Sequence, residues 1–277
     1  MLKGVTMIKQ LLLVGLFLVL ALSLFIYVFQ RYLIYVPAKV VPTREAYQAL
    51  DMQEVQIATP DGLYLLAWYK PARENQPTVL VVHGNAGHIG NRMPLARHFI
   101  ETAFGVLLLE YRGYAGNPGS PSESGLYSDA SAAMKFLHKQ GISDQKIVVY
   151  GESLGTGVAT KMATQQSVCA VVLQSPFTSL TRMARYHYPW ILLRPWDKFD
   201  SLSRIQQINA PLLVLHGKDD SLVPFDEGLT LFNNALEPKT MIAFPGRGHN
   251  DMWNADFFAH VTSFIGTHCR ERRLIFP

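Results

Sequence analysis

The sequence predicts an α/β fold, a mostly parallel eight-stranded sheet with helices on both faces, preceded by one apolar helix of membrane length. Three observations predict it. Short β-branched apolar runs alternate with helix-compatible segments from about residue 54 to 268, the pattern of strands joined by crossover helices. One run, Ile147-Val148-Val149-Tyr150, meets the turn Gly151-Glu152-Ser153-Leu154-Gly155 and then a helical segment. That strand–tight turn–helix context holds a serine at a strained elbow with its hydroxyl exposed. Leu11 to Phe29 carries no charge and has only Gly15 and Ser23 as interruptions. As a helix that run is roughly 28 Å long, close to the thickness of a bilayer core.

In chain order, residues 1–10 are an N-terminal flank with Lys3 and Lys9, and 11–29 are the transmembrane helix. A cleaved signal peptide is disfavoured because the apolar run continues past Ala21-Leu22-Ser23 to Phe29, longer than a usual signal core. Residues 30–53 are expected to be a linker, punctuated by Pro37 and Pro42. The domain occupies 54–277. Strands near 54–58 and 63–69 form a hairpin across Pro60-Asp61-Gly62. Strands follow near 78–83, 106–111, 146–150, 169–174, 211–216 and 240–244. Helices lie near 91–103, 124–140, 154–166, 225–235 and 252–267. Residues 176–210 form a short lid containing Tyr186-His-Tyr-Pro-Trp-Ile-Leu-Leu-Arg-Pro-Trp196 and Phe199. These aromatics are expected to pack a small cap, and some to wall an apolar pocket or meet the bilayer surface.

Charge follows the same division. The net charge is +4. Residues 1–50 hold Lys3, Lys9, Arg31, Lys39 and Arg44 against Glu45 alone, so the remainder is neutral. A neutral domain excludes nucleic acid as partner, which requires a basic surface, whereas the basic flanks suit anionic headgroups. Basic residues on the two sides of the span nearly balance; the expected orientation places the N-terminus inside and the domain on the extracytoplasmic side. Cys169 opens a core strand and Cys269 lies near the end of the last helix, so neither is expected in a disulfide.

A serine nucleophile needs a base and an acid, in the chain order Ser, Asp/Glu, His for this turn type. Pro211-Leu-Leu-Val-Leu-His-Gly217 is followed by Asp219 and Asp220, and Thr240-Met-Ile-Ala-Phe-Pro-Gly246 by His249. Serine, carboxylate and histidine each follow a strand, which in an open parallel sheet brings them to its carboxyl edge. His83 and His216, each before a glycine at a strand end, are read as loop braces. His88 and His187 are read as locally bonded loop residues, and Asp251 as a capping carboxylate opening the last helix. No two histidines have metal-ligand spacing around a carboxylate, so no metal or cofactor is expected.

From about residue 54 to 268 the chain resembles the α/β-hydrolase superfamily. Within it, the chain is similar to membrane-anchored, small-lidded abhydrolase-domain serine hydrolases, a group that includes protein depalmitoylases. The residues that carry the resemblance are His83-Gly-Asn-Ala-Gly87, Tyr111-Arg-Gly-Tyr114, Gly119 to Glu123, the Ser153 elbow, Ser175-Pro-Phe-Thr-Ser179, His216-Gly217 with Asp220, and Gly248-His-Asn-Asp251. The resemblance implies Ser153 as nucleophile, His249 as general base and Asp220 as its partner, with Asp219 the adjacent rival. It implies an oxyanion hole made by the backbone N–H groups of Leu154 and Asn85, Ala86 being the alternative to Asn85. The expected activity is cleavage of a carboxylic ester or thioester, with a fatty-acyl group favoured, through an acyl-enzyme. A serine peptidase or an acyltransferase would use the same residues, and a catalytically silent membrane interaction protein is the alternative of another class. The depalmitoylases rely on an acylated cysteine-rich N-terminus, whereas this chain has no cysteine before 169. Since none of these site residues precedes residue 83, a domain starting near Arg44 is expected to keep activity on soluble esters.

Overall fold

A computed structural model describes residues 2–190 and 194–269. Ile191-Leu192-Leu193 of the lid and residues 270–277 lie outside the described residues. Eight strands form one sheet: β1 (Gln53–Ala58), β2 (Tyr64–Lys70), β3 (Thr78–Val82), β4 (Gly105–Leu109), β5 (Ile147–Glu152), β6 (Ala170–Gln174), β7 (Leu212–Gly217) and β8 (Lys239–Phe244). Their order across the sheet is β8-β7-β6-β5-β3-β4-β2-β1, and only β2 runs against the rest. The hairpin expected at Pro60-Asp61-Gly62 joins β1 to β2, with Ala58 paired to Tyr64.

Helices α2 (Met93–Glu101), α3 (Glu123–Lys139), α4 (Leu154–Ala163), α6 (Phe225–Asn234) and α7 (Ala255–Cys269) fall where the alternation predicts them. Successive strand residues face opposite sides. Leu80 and Val82 therefore join one apolar core with Val158 of α4 and Leu126 of α3, while Val79 and Val81 join a second with Phe99 of α2 and Val261 of α7. Both faces are covered, so every residue of β3 is buried, which is why these strands read as unbroken apolar runs.

Helix α1 covers Leu2–Ile34, beyond the expected span at both ends. Its stretch Met7–Ile34 is long and apolar enough to cross a membrane, and none of the most apolar part is buried. A core helix of this composition would be covered by protein.

Outside the site, the structure differs from expectation in three places. Residues 30–53 are not a free linker. Tyr35, Ala49 and Met52 are buried, and Val36–Pro37 pair in parallel with Ala86–Gly87 just after β3. The lid contains a helix, α5 (Leu180–His187), started by Ser179, whose Oγ accepts from Arg182 N at 3.2 Å. The lid is also tied to α1: Arg31 donates to both carboxylate oxygens of Asp197 (2.9 and 3.1 Å), Tyr35 Oη donates to Asp197 (3.0 Å), and Trp196 N donates to Gln30 Oε1 (2.6 Å).

Third, Cys169 and Cys269 form a disulfide, with Cα atoms 5.5 Å apart. This corrects the expectation of two unpaired thiols. Helix α7 packs back across the sheet, and its last residue comes to rest beside the start of β6. The bond closes a loop of 100 residues, and chain-entropy reasoning assigns such a loop up to about 4.7 kcal/mol. Cys169→Ser is expected to lower the denaturant midpoint of the full-length protein in detergent, and reductant is expected to lower the wild-type midpoint toward the mutant's. A midpoint insensitive to both would show that the bond contributes no stability.

Candidate active site

The elbow is built from two close approaches. A Cβ on Gly155 would lie 2.0 Å from Val82 O, and one on Gly151 would lie 2.6 Å from Gly155 O. Helix α4 thus turns back against the end of β3 with no room for a side chain at either position. Ser153, between them, sits at φ 50° and ψ −117°, a region that costs of order 1–3 kcal/mol for a residue with a Cβ. The strain is held from both sides. Ser153 N donates to Gln174 O at 2.9 Å, and the carbonyl of Ser153 accepts from Thr156 Oγ1 at 2.6 Å.

The loop after β7 brings Asp220, and the loop after β8 brings His249. His249 Nε2 lies 3.0 Å from Ser153 Oγ, and His249 Nδ1 lies 2.7 Å from Asp220 Oδ2. Asp220 is buried, and its other oxygen accepts from Leu222 N (2.9 Å) and Val223 N (2.8 Å). Burial alone would raise its carboxyl pKa. Hydrogen bonds from His216, His249 and the Val223 N–H outweigh that and hold it well below the ordinary range. His216 is a brace, donating to Val223 O at 2.9 Å. Asp219 is exposed, and its backbone N–H bonds Arg247 O at 2.9 Å. Asp251 accepts from Gly248 N at 2.7 Å and so steadies the His249 loop. It does not open the last helix as expected; Asn254 does, its Oδ1 accepting from Phe257 N at 2.8 Å. The helix starts three residues later than its apolar pattern suggests.

Asn85 and Leu154 line the same pocket as Ser153, a cavity of about 150 Å³ that also touches Phe177, Leu180, Met183 and Leu222. The loop carrying Asn85 is held peptide by peptide. His83 Nδ1 donates to Gly84 O at 2.7 Å, which orients the peptide whose other edge carries the Asn85 N–H. Tyr111 Oη donates to His83 O (3.2 Å) and Tyr114 Oη to Asn85 O (2.9 Å), giving the Tyr111-Arg-Gly-Tyr114 motif a structural purpose. Two further bonds come from a segment that periodicity left as linker. Val36 N donates to Asn85 O at 3.2 Å, and Asn85 Nδ2 donates to Ile34 O at 2.7 Å. Leu33 and Ile34 line the pocket itself. The expected nucleophile, base, acid and oxyanion-loop residues all follow residue 83, but the pocket wall and the support of the loop draw on residues before it. Arg92 was also missed; buried, it donates twice to Glu152, beside the elbow, at 2.9 Å each. No spacing rule links residues 60 positions apart. His88 bonds Tyr47 Oη at 3.2 Å, whereas His187 reaches the Ser153 pocket, with Nε2 donating to Leu222 O at 2.8 Å.

Sheet order, elbow and the three strand-end residues define a class, and the comparisons agree with it. The family profile of the alpha/beta hydrolase fold matches residues 77–194. An uncharacterized protein of Mycobacterium tuberculosis is 43% identical over 234 residues, covering 82% of this chain and 83% of its own length. The lysophosphatidylserine lipase ABHD12 of Danio rerio is 33% identical over 199 residues, 63% of this chain and 51% of that protein. A Pyrococcus furiosus esterase superposes with a TM-score of 0.71 at 19% identity, covering 85% of this chain and 98% of the esterase. The chain belongs to the α/β-hydrolase family.

Proposed function

We propose that this protein is a membrane-anchored serine hydrolase that cleaves fatty-acyl carboxylic esters or thioesters. The observation that carries the reading is the hydrogen-bonded series Ser153 Oγ, His249 Nε2 and Nδ1, Asp220 Oδ2, whose serine lines an apolar pocket. Ser153 Oγ attacks the acyl carbonyl carbon while His249 Nε2 accepts its proton, and Asp220 stabilises the resulting imidazolium. The carbonyl oxygen, now an oxyanion, receives the N–H groups of Leu154 and Asn85 at the positive end of α4. The carbon–oxygen or carbon–sulfur bond then breaks, and His249 returns the proton to the departing alcohol or thiol. Water, deprotonated by His249, releases the carboxylic acid and restores Ser153. The lipase relative, ABHD12, favours an acyl lipid over a peptide substrate.

A fluorophosphonate probe is expected to label the wild-type protein and not Ser153→Ala, and His249→Ala is expected to lose nearly all turnover. Equal labelling of wild type and Ser153→Ala would sink the assignment of the nucleophile. Helix α1 is read as a retained anchor rather than a signal sequence, and the protein is expected in the membrane pellet after carbonate washing. A mature N-terminus near residue 24 would overturn the anchor. The Cys169–Cys269 disulfide suits an oxidising compartment, which favours the domain on the extracytoplasmic side.

A further inference from the structure

Two apolar chambers share one wall. The chamber at Ser153 is closed on one side by Leu33 and Ile34. The same two residues line a second chamber of about 110 Å³, which runs between Ile26, Tyr27 and Gln30 of α1 and Ala184 and Tyr188 of the lid. From Ile34 to Ile26 the helix axis covers about 12 Å. The second chamber therefore leads away from Ser153 along α1, toward the apolar stretch that no part of the protein covers.

The surroundings match the edge of a bilayer. Tyr27 meets Trp196 edge-on with ring centroids 5.3 Å apart, and the Arg31 guanidinium lies 5.6 Å from the same indole ring. Tyr188 and Trp190 of the lid are exposed nearby in sequence. Aromatic and basic side chains of this kind collect at headgroup depth. The clamp of Arg31 and Tyr35 on Asp197 keeps lid and helix together, so the groove between them is part of the fold.

We infer that the groove between α1 and the lid holds the acyl chain of a lipid substrate drawn from the leaflet in which α1 ends, so that the anchor is itself half of the acyl-binding site. This rests on the proposed reading of Ser153 as nucleophile toward fatty-acyl substrates and adds the chain's binding site and route: one fatty-acyl chain, entering along the anchor, its carbonyl reaching Ser153 past Leu33 and Ile34. A butyryl group ends within the Ser153 chamber, whereas a dodecanoyl group needs the second one.

Full-length protein in phosphatidylcholine vesicles would be assayed with p-nitrophenyl butyrate and p-nitrophenyl dodecanoate. Ile26→Trp and Ala184→Trp plug the groove from opposite walls, and both sites are half-exposed and able to accept a larger side chain without disturbing the core. Each variant is expected to lower the dodecanoate-to-butyrate ratio of kcat/KM by about tenfold or more, because every methylene expelled from an apolar site loses severalfold in discrimination. A fall of less than fivefold in either variant overturns the groove assignment while leaving Ser153 in place. Butyrate hydrolysis that survives in Ser153→Ala overturns the reading beneath it, and the groove with it.

Discussion

Asp220→Asn is expected to lower kcat on a soluble ester by about 10⁴-fold, while Asp219→Asn stays within a fewfold of wild type. The size of the first effect follows from what the carboxylate does for His249. With Asp220 Oδ2 at 2.7 Å, Nδ1 must carry the proton and Nε2 is left free to accept one from Ser153. In Asp220→Asn the two backbone N–H groups of Leu222 and Val223 keep the amide oxygen, so the NH₂ group faces Nδ1, which favours the wrong tautomer, and the amide offers no charge to the imidazolium. In a serine protease with this arrangement the same change costs about 10⁴. The bonds from Leu222 N and Val223 N to Oδ1 hold the side chain at 220 in position in wild type and Asp220→Asn alike, so the loss is one of turnover, with KM little changed. Asp219 is exposed, and the bond it makes in this loop is from its backbone N–H to Arg247 O, which the substitution leaves in place. Steady-state kinetics on both variants decide the point. A larger loss in Asp219→Asn would reassign the acid.

The sheet was legible because its central strands are buried on both faces. Runs such as Thr78–Val82 and Leu212–Gly217 have no polar alternation to blur them, and the helices between them carry the longer period. The convergence of Ser153, Asp220 and His249 was legible for a related reason: each directly follows a strand, and parallel strands end at one edge. What escaped has no periodic signal. A two-residue strand at Val36–Pro37 pairs with Ala86–Gly87, too short to alternate and beside a proline that reads as punctuation. The disulfide joins residues 100 apart, and it depends on where the end of α7 falls on the sheet, which neither cysteine's local sequence reveals. Asp251 and Asn254 are both good capping residues three positions apart, and only the backbone distinguishes which one starts the helix.

The second large effect concerns the segment before the domain. Deleting residues 1–43 is expected to lower kcat on a soluble butyryl ester by about 10²-fold or more, and not merely to detach the protein from membranes. Deletion removes Ile34 O and Val36 N, which bond the side chain and carbonyl of Asn85 at 2.7 and 3.2 Å. It also removes Leu33 and Ile34 from the pocket wall and opens the Ser153 chamber to water. If the Asn85 N–H receives the oxyanion, a loop that no longer holds it in place forfeits much of one donor, and one such donor is worth about 10²–10³ in kcat. Fluorophosphonate labelling separates this effect from unfolding, since an intact elbow with a loosened oxyanion loop should still label, only more slowly. Asn85→Ala in the full-length protein supplies the finer test: it keeps the backbone N–H and the Val36 bond but breaks the tie to Ile34 O. About a tenfold loss in kcat is expected, with the unfolding midpoint nearly unchanged, because the deleted bond is a single partly buried one worth about 1 kcal/mol. Wild-type kcat in both proteins would mean that the anchor supports membrane attachment alone and that the loop after β3 holds its geometry without it.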